Sequence, residues 1–121
     1  MKVKTIAISL MSVAVLLGCA SPSELRGREV SFAASSTQNN AKQVLTCVAN
    51  SWQQSTQQTV AVTAYENGFT AVAQSKTLFG TNTDFVIDAA NAKTGGAVFQ
   101  LWSTMSKEST DKLKTMIQPC L

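Results

Sequence analysis

A chain of 121 residues with 45% hydrophobic residues, 10 Lys+Arg and 7 Asp+Glu has the size and apolar content of one small domain with a single core. Its complete lack of histidine removes the commonest general base, the usual zinc ligand and the serine and cysteine triads in their ordinary forms. The formal charge of +3 contains no block of like charge, which argues against electrostatic capture of nucleic acid.

At the start of the chain, Lys2 and Lys4 precede an apolar run from Ile6 to Leu17, which ends in Gly18 and Cys19. The run has the length of a signal-peptide h-region and falls short of the roughly 20 apolar residues of a spanning helix. Leu16-Leu17-Gly18-Cys19 resembles the lipobox of bacterial lipoproteins. The resemblance implies a signal peptide over residues 1–18, cleavage before Cys19, a diacylglycerol on the Cys19 thiol and acylation of the new amino terminus. It also implies attachment to a membrane through Cys19. Ala20 stands where an aspartate would mark retention in enteric-type sorting, so the expected address is the outer membrane, with the inner membrane facing the periplasm as the alternative. Lys2 and Lys4 would leave with the signal peptide, and the remaining side chains come close to neutral.

With Cys19 taken by lipid, Cys47 and Cys120 remain, an even pair in a compartment that favours disulfides. Joining them would close a long loop and contribute on the order of 4 kcal/mol on the chain-entropy model. Two buried free thiols, or pairing between chains, are the competing readings.

Residues 19–37 are rich in small and polar side chains and read as a flexible tether, with Arg26 and Arg28 keeping it soluble or touching lipid phosphates. Val30 and Phe32 alternate with polar neighbours, which leaves an added edge strand as an alternative. From Asn40 the spacing becomes helical. Ala41, Val44, Leu45, Val48 and Trp52 fall on one stripe, and Asn40 with Gln43 offers a capping box. Thr59–Glu66 and Phe69–Thr77 are rich in β-formers and flank Asn67-Gly68, the pattern of a type I′ hairpin. That turn would set Glu66 opposite Phe69 and Val62 opposite Ala73, with Val60, Val62, Ala64, Phe69, Ala71 and Ala73 on one face. Leu78–Asn82 reads as a loop, Asp84–Ala90 as a third strand, and Ala97–Ser103 as a fourth. Ser106 opens a last helix, with Leu113, Met116 and Ile117 as its stripe and Pro119 as its stop.

These elements predict an α+β domain over residues 38–121, a four-stranded antiparallel meander in the order α-β-β-β-β-α. Its first and last helices should pack on one face, stapled by Cys47 and Cys120.

The chain holds no Gly-x-Ser-x-Gly, no phosphate-cradling glycine loop and no EF-hand-like acidic loop. Thr94-Gly95-Gly96 reads as a turn. Asp84 and Asp88 share a predicted strand face, where two carboxylates can perform acid/base work, hold a cation or simply be solvated. Tyr65, Phe79 and Trp102 fall on the outer face or in a loop and form a candidate partner patch with Val72 and Val86, unless the tether folds back over them. No catalytic residue, metal or cofactor is assigned. Residues 40–121 resemble small uncharacterised bacterial lipoproteins with one cysteine in a first helix and one near the carboxy terminus. The expected function is a noncatalytic accessory or binding component of an envelope assembly with a protein partner. A periplasmic inhibitor or immunity-type protein blocking a cell-wall hydrolase is the alternative.

Overall fold

The computed structural model describes residues 19–121; the expected signal peptide, residues 1–18, lies outside the described residues. The described chain is an α+β fold whose elements run α1 (Pro22–Arg26), β1 (Phe32–Ser36), α2 (Ala41–Thr56), β2 (Val60–Tyr65), β3 (Gly68–Thr77), β4 (Gly80–Asn91), β5 (Ala97–Ser103) and α3 (Lys107–Ile117). A 3-10 turn over Gln118–Cys120 follows α3.

The sheet has five strands, in the order β1-β5-β4-β3-β2, and every pairing is antiparallel. Strands β2 to β5 form the expected meander. The fifth strand is a correction, and it comes from the segment expected to be a tether. There Phe32 to Ser36 pair in sequence with Leu101 to Ala97 along the free edge of β5. Instead of swinging free, residues 19–37 fold back as α1 and β1.

Helix α2 begins as its sequence predicts. The Asn40 side chain accepts from the Gln43 backbone N–H at 2.9 Å, and the Gln43 side chain accepts from the Asn40 N–H at 2.9 Å. Both are donors that the helix itself leaves without a partner. Asn91 on β4 accepts from the Ala41 N–H at 2.8 Å and ties this end to the sheet. The stripe of Ala41, Val44, Leu45, Val48 and Trp52 is buried on the sheet, where small Ala71 and Ala73 let the helix approach closely. The Trp52 ring meets Phe85 edge-on, with centroids 5.5 Å apart. Helix α3, capped by the Ser106 hydroxyl, lies beside α2 and buries Leu113 and Ile117 in the same core. Cys47 and Cys120 form the disulfide that joins the two, with Cα atoms 5.7 Å apart.

Two local predictions shift. The β2–β3 turn is Glu66-Asn67 rather than Asn67-Gly68, so Tyr65 pairs with Gly68 and Val62 with Ala71. Glu66 takes the positive φ, 50°. Gly68 belongs to the strand for a different reason: a Cβ there would run into the backbone carbonyl of Ala89 on β4. Since each pairing partner moved by two positions, the predicted face of β2 and β3 is preserved.

The predicted loop Leu78–Asn82 contracts to a two-residue turn, Leu78-Phe79. Thr77 pairs with Gly80, and Thr81 and Asn82 belong to β4. Between Ala73 and Gln74 the register slips, leaving Asp84 as an extra residue on β4.

Candidate functional site

The face of the sheet away from α2 and α3 is organised in rows set by strand register. One row runs Ala61, Val72, Val86, Trp102; the next Thr63, Thr70, Asp88, Gln100, Ala33; the third Tyr65, Gly68, Ala90, Val98, Ser35. Helix α1 covers the first row. Its sequence explains why it forms: Ser21 accepts from the Glu24 backbone N–H at 3.3 Å, and Pro22 follows the cap where its missing N–H costs nothing. Leu25, wholly buried, packs with Ala20, Val86 and Trp102 in a second small core.

Arg26 projects from the end of α1 to the second row. Its Nε donates to Asp88 Oδ2 at 2.8 Å, and its Nη2 donates to Asp88 Oδ1 at 3.0 Å and to Thr70 Oγ1 at 3.1 Å. The guanidinium also lies 4.0 Å from the centroid of the Tyr65 ring. The hydrogen bonds to Asp88 push the arginine's pKa above its ordinary value, against burial, which lowers it. This residue, expected to solubilise a tether or touch lipid phosphates, is instead committed to the sheet.

Beyond Arg26 the second and third rows are open. Tyr65, Glu66, Asp88, Val98 and Gln100 line a groove of about 480 Å³, together with Gly68, Ala90 and Ala33, whose small size leaves it open. Val98 is 51% exposed there. The groove offers an apolar floor with amide and carboxylate groups at its edges, which are features of a binding surface.

The predicted patch does not assemble. Trp102 is buried beneath α1, and its indole N–H donates to the Arg28 carbonyl at 3.2 Å. Tyr65 is half-covered by Arg26 and lines the groove. Phe79, 83% exposed, sits at the opposite end of β3, about 30 Å away by strand rise. Nor do Asp84 and Asp88 share a face, because the bulge at Asp84 breaks the alternation. Asp84 accepts from Gln58 at 2.7 Å and from Ser75 and Asn82 at 3.0 Å, while Asp88 is held by Arg26. Thr94-Gly95-Gly96 is a turn, with positive φ at both glycines.

The third feature is Cys19 itself, a free and half-exposed cysteine. Its Sγ lies 3.2 Å from Thr77 Oγ1, beside the β3–β4 turn. The next residue is already locked in place: Ala20 N–H donates to Asn82 Oδ1 at 3.0 Å, and the Ala20 carbonyl accepts from the Thr83 N–H at 2.9 Å.

Sequence reasoning missed Arg26 and Gln58. For Arg26 a signal existed, since Ser21-Pro22-Ser23-Glu24 has the serine, proline and glutamate spacing of a helix start. Gln58, which receives the Trp52 indole N–H at 2.8 Å and donates to Asp84, sits in a run of glutamines and threonines that singles out none of them. Among the described residues no group of three or more Cys, Asp or Glu could hold a metal ion, and no helix is long and apolar enough to cross a membrane. Compared with protein families, with curated proteins and with solved structures, the chain matches none.

Proposed function

We propose that the protein is a lipid-anchored, noncatalytic component of the bacterial envelope, attached through Cys19 to the outer membrane and binding a protein partner of an envelope assembly. The observation that carries this reading is the division of its cysteines. Cys47 and Cys120 are joined, as suits an exported domain, while Cys19 is free and half-exposed where the lipobox-like segment ends. A noncatalytic role is supported by the fate of the two carboxylates. Asp84 and Asp88 are separately engaged in structural hydrogen bonds and face no common space.

Mass spectrometry of protein recovered from bacterial membranes tests the anchor. The expected product begins at Cys19 and carries acyl chains, and Cys19→Ser should accumulate as the uncleaved form. A product that retains Met1, or an unmodified Cys19, would overturn the attachment. Crosslinking in the native host tests the binding role. A captured envelope protein should be lost on filling the groove with Ala90→Lys, and a domain that comes away alone would count against it.

A further inference from the structure

Leu78 and Phe79 are 99% and 83% exposed, and together they make the whole two-residue turn between β3 and β4. Turn positions ordinarily go to Gly, Asn, Asp or Ser, whose backbone freedom or side-chain hydrogen bonds suit the bend. Here the positive φ is supplied just afterwards by Gly80, at 125°. The turn therefore has no need of two large apolar side chains, and the fold does not bury them.

What lies next to them is Cys19. Its Sγ touches the Thr77 hydroxyl, one residue before Leu78, and Ala20 is hydrogen-bonded on both sides to Asn82 and Thr83. No slack separates the two. The Ala20 amide that donates to Asn82 belongs to the 19–20 peptide bond, so these ties persist after cleavage before Cys19. Acyl chains leaving Cys19 would thus bring this one end of the sheet, and no other, to the bilayer. Ser75 to Thr83 contains Lys76 and no acidic residue, and Lys76 is exposed. Apolar side chains at the level of the acyl boundary with a cation beside them match an anionic lipid surface.

We infer that the Leu78-Phe79 tip is a second membrane contact, which inserts into the leaflet that holds Cys19 and fixes the domain with its β3–β4 end down. The inference rests on the lipid-anchor reading above. It gives the outer-face groove a constant height and orientation toward whatever the anchored domain meets.

The test uses the full chain, processed in a Gram-negative host and reconstituted into vesicles of phosphatidylethanolamine and phosphatidylglycerol with brominated acyl chains. Phe79→Trp places a reporter at the tip, and Lys93→Trp places one in the β4–β5 turn at the other end of the sheet. Against the wild-type signal, the Phe79→Trp emission should shift to the blue and lose intensity to bromine, while the Lys93→Trp emission does neither. If Cys19 is acylated and the tip tryptophan stays unquenched, the second contact is overturned and the anchor stands. If the same sample carries an unmodified Cys19, both fall.

Discussion

Arg26 and Asp88, 62 positions apart in the chain, meet through two hydrogen bonds of 2.8 and 3.0 Å that clamp the short helix α1 onto the outer face of the sheet. Both side chains are about four-fifths buried, at 20% and 21% exposure, which shields the pair from solvent screening. Five residues of helix could not stand alone in water, so α1 depends on this grip and on Leu25.

Arg26→Ala should therefore destabilise the fold by about 1.5–3 kcal/mol, the range for a hydrogen bond to a charged group. It should also loosen α1 before the rest unfolds. In a Trp52→Phe background the emission of Trp102 should move to the red as its cover lifts, and urea titration should report the lower stability. Arg26→Lys should recover only part of the loss, since one ammonium cannot span both carboxylate oxygens, Thr70 and the Tyr65 ring. The folded-state pKa of Arg26 is raised, so its contribution is fully present below the arginine's ordinary range and is lost only as pH rises through the raised value. Urea midpoints across neutral pH should show no titration from this pair's arginine.

The β2–β3 turn carries strain at Glu66, the residue with φ of 50°. Glu66→Gly should raise stability by about 1 kcal/mol by removing the Cβ penalty of the left-handed region. Gly68→Ala should do the reverse and cost about 1–3 kcal/mol, because the new methyl group meets the Ala89 carbonyl and β3 must move away from β4. Thermal unfolding of the two variants beside wild type checks both signs.

Cys47→Ser with Cys120→Ser removes a crosslink that spans 73 positions, and on the chain-entropy model stability should fall by about 4 kcal/mol. The carboxy-terminal turn should stay docked in the folded fraction. Asn39 still donates to the Cys120 carbonyl at 2.9 Å, and Ser36 to the Leu121 carbonyl at 3.0 Å. Urea unfolding of the double variant, and of wild type with and without reductant, measures the difference.

Gln58 joins the Trp52 indole to the Asp84 carboxylate. Asp84→Asn should cost about 1–3 kcal/mol, because the site presents donors from Gln58, Ser75 and Asn82 and an amide can accept on only one of its two ends. Gln58→Ala should fall in the same range, and the double variant should lose less than the sum of the two because they share one hydrogen bond, yet more than either alone because the Trp52 indole N–H also loses its acceptor. A double-mutant cycle by chemical denaturation reads this coupling.

Part of the architecture was legible in the chain because it depends on local rules. The α2 stripe and its Asn40/Gln43 cap, the faces of β2 and β3, the Ser106 cap and the Pro119 stop each follow from neighbours a few residues apart. Where the outcome hinged on distant partners, local reading failed. Thr81 and Asn82 look like loop, and Thr83 falls outside the expected strand, yet β3 pairs with all three, and Asn82 and Thr83 also hydrogen-bond to Ala20. Asp84 could not be placed on a face without the bulge, and the bulge belongs to the β3–β4 ladder rather than to β4 alone.

The largest difference lies at residues 19–37. By itself the sequence determined that this stretch is rich in small and polar residues and begins at Cys19, behind an apolar run. Only the tertiary structure decided that the stretch is built into the domain, because a free edge on β5 offered backbone partners to Phe32–Ser36 and a bare apolar row offered cover to Leu25. Those two long-range contacts turn an expected tether into α1 and β1. They bury Trp102, convert Arg26 from a solvated charge into a clamp, and set Cys19 against the turn that carries Leu78 and Phe79.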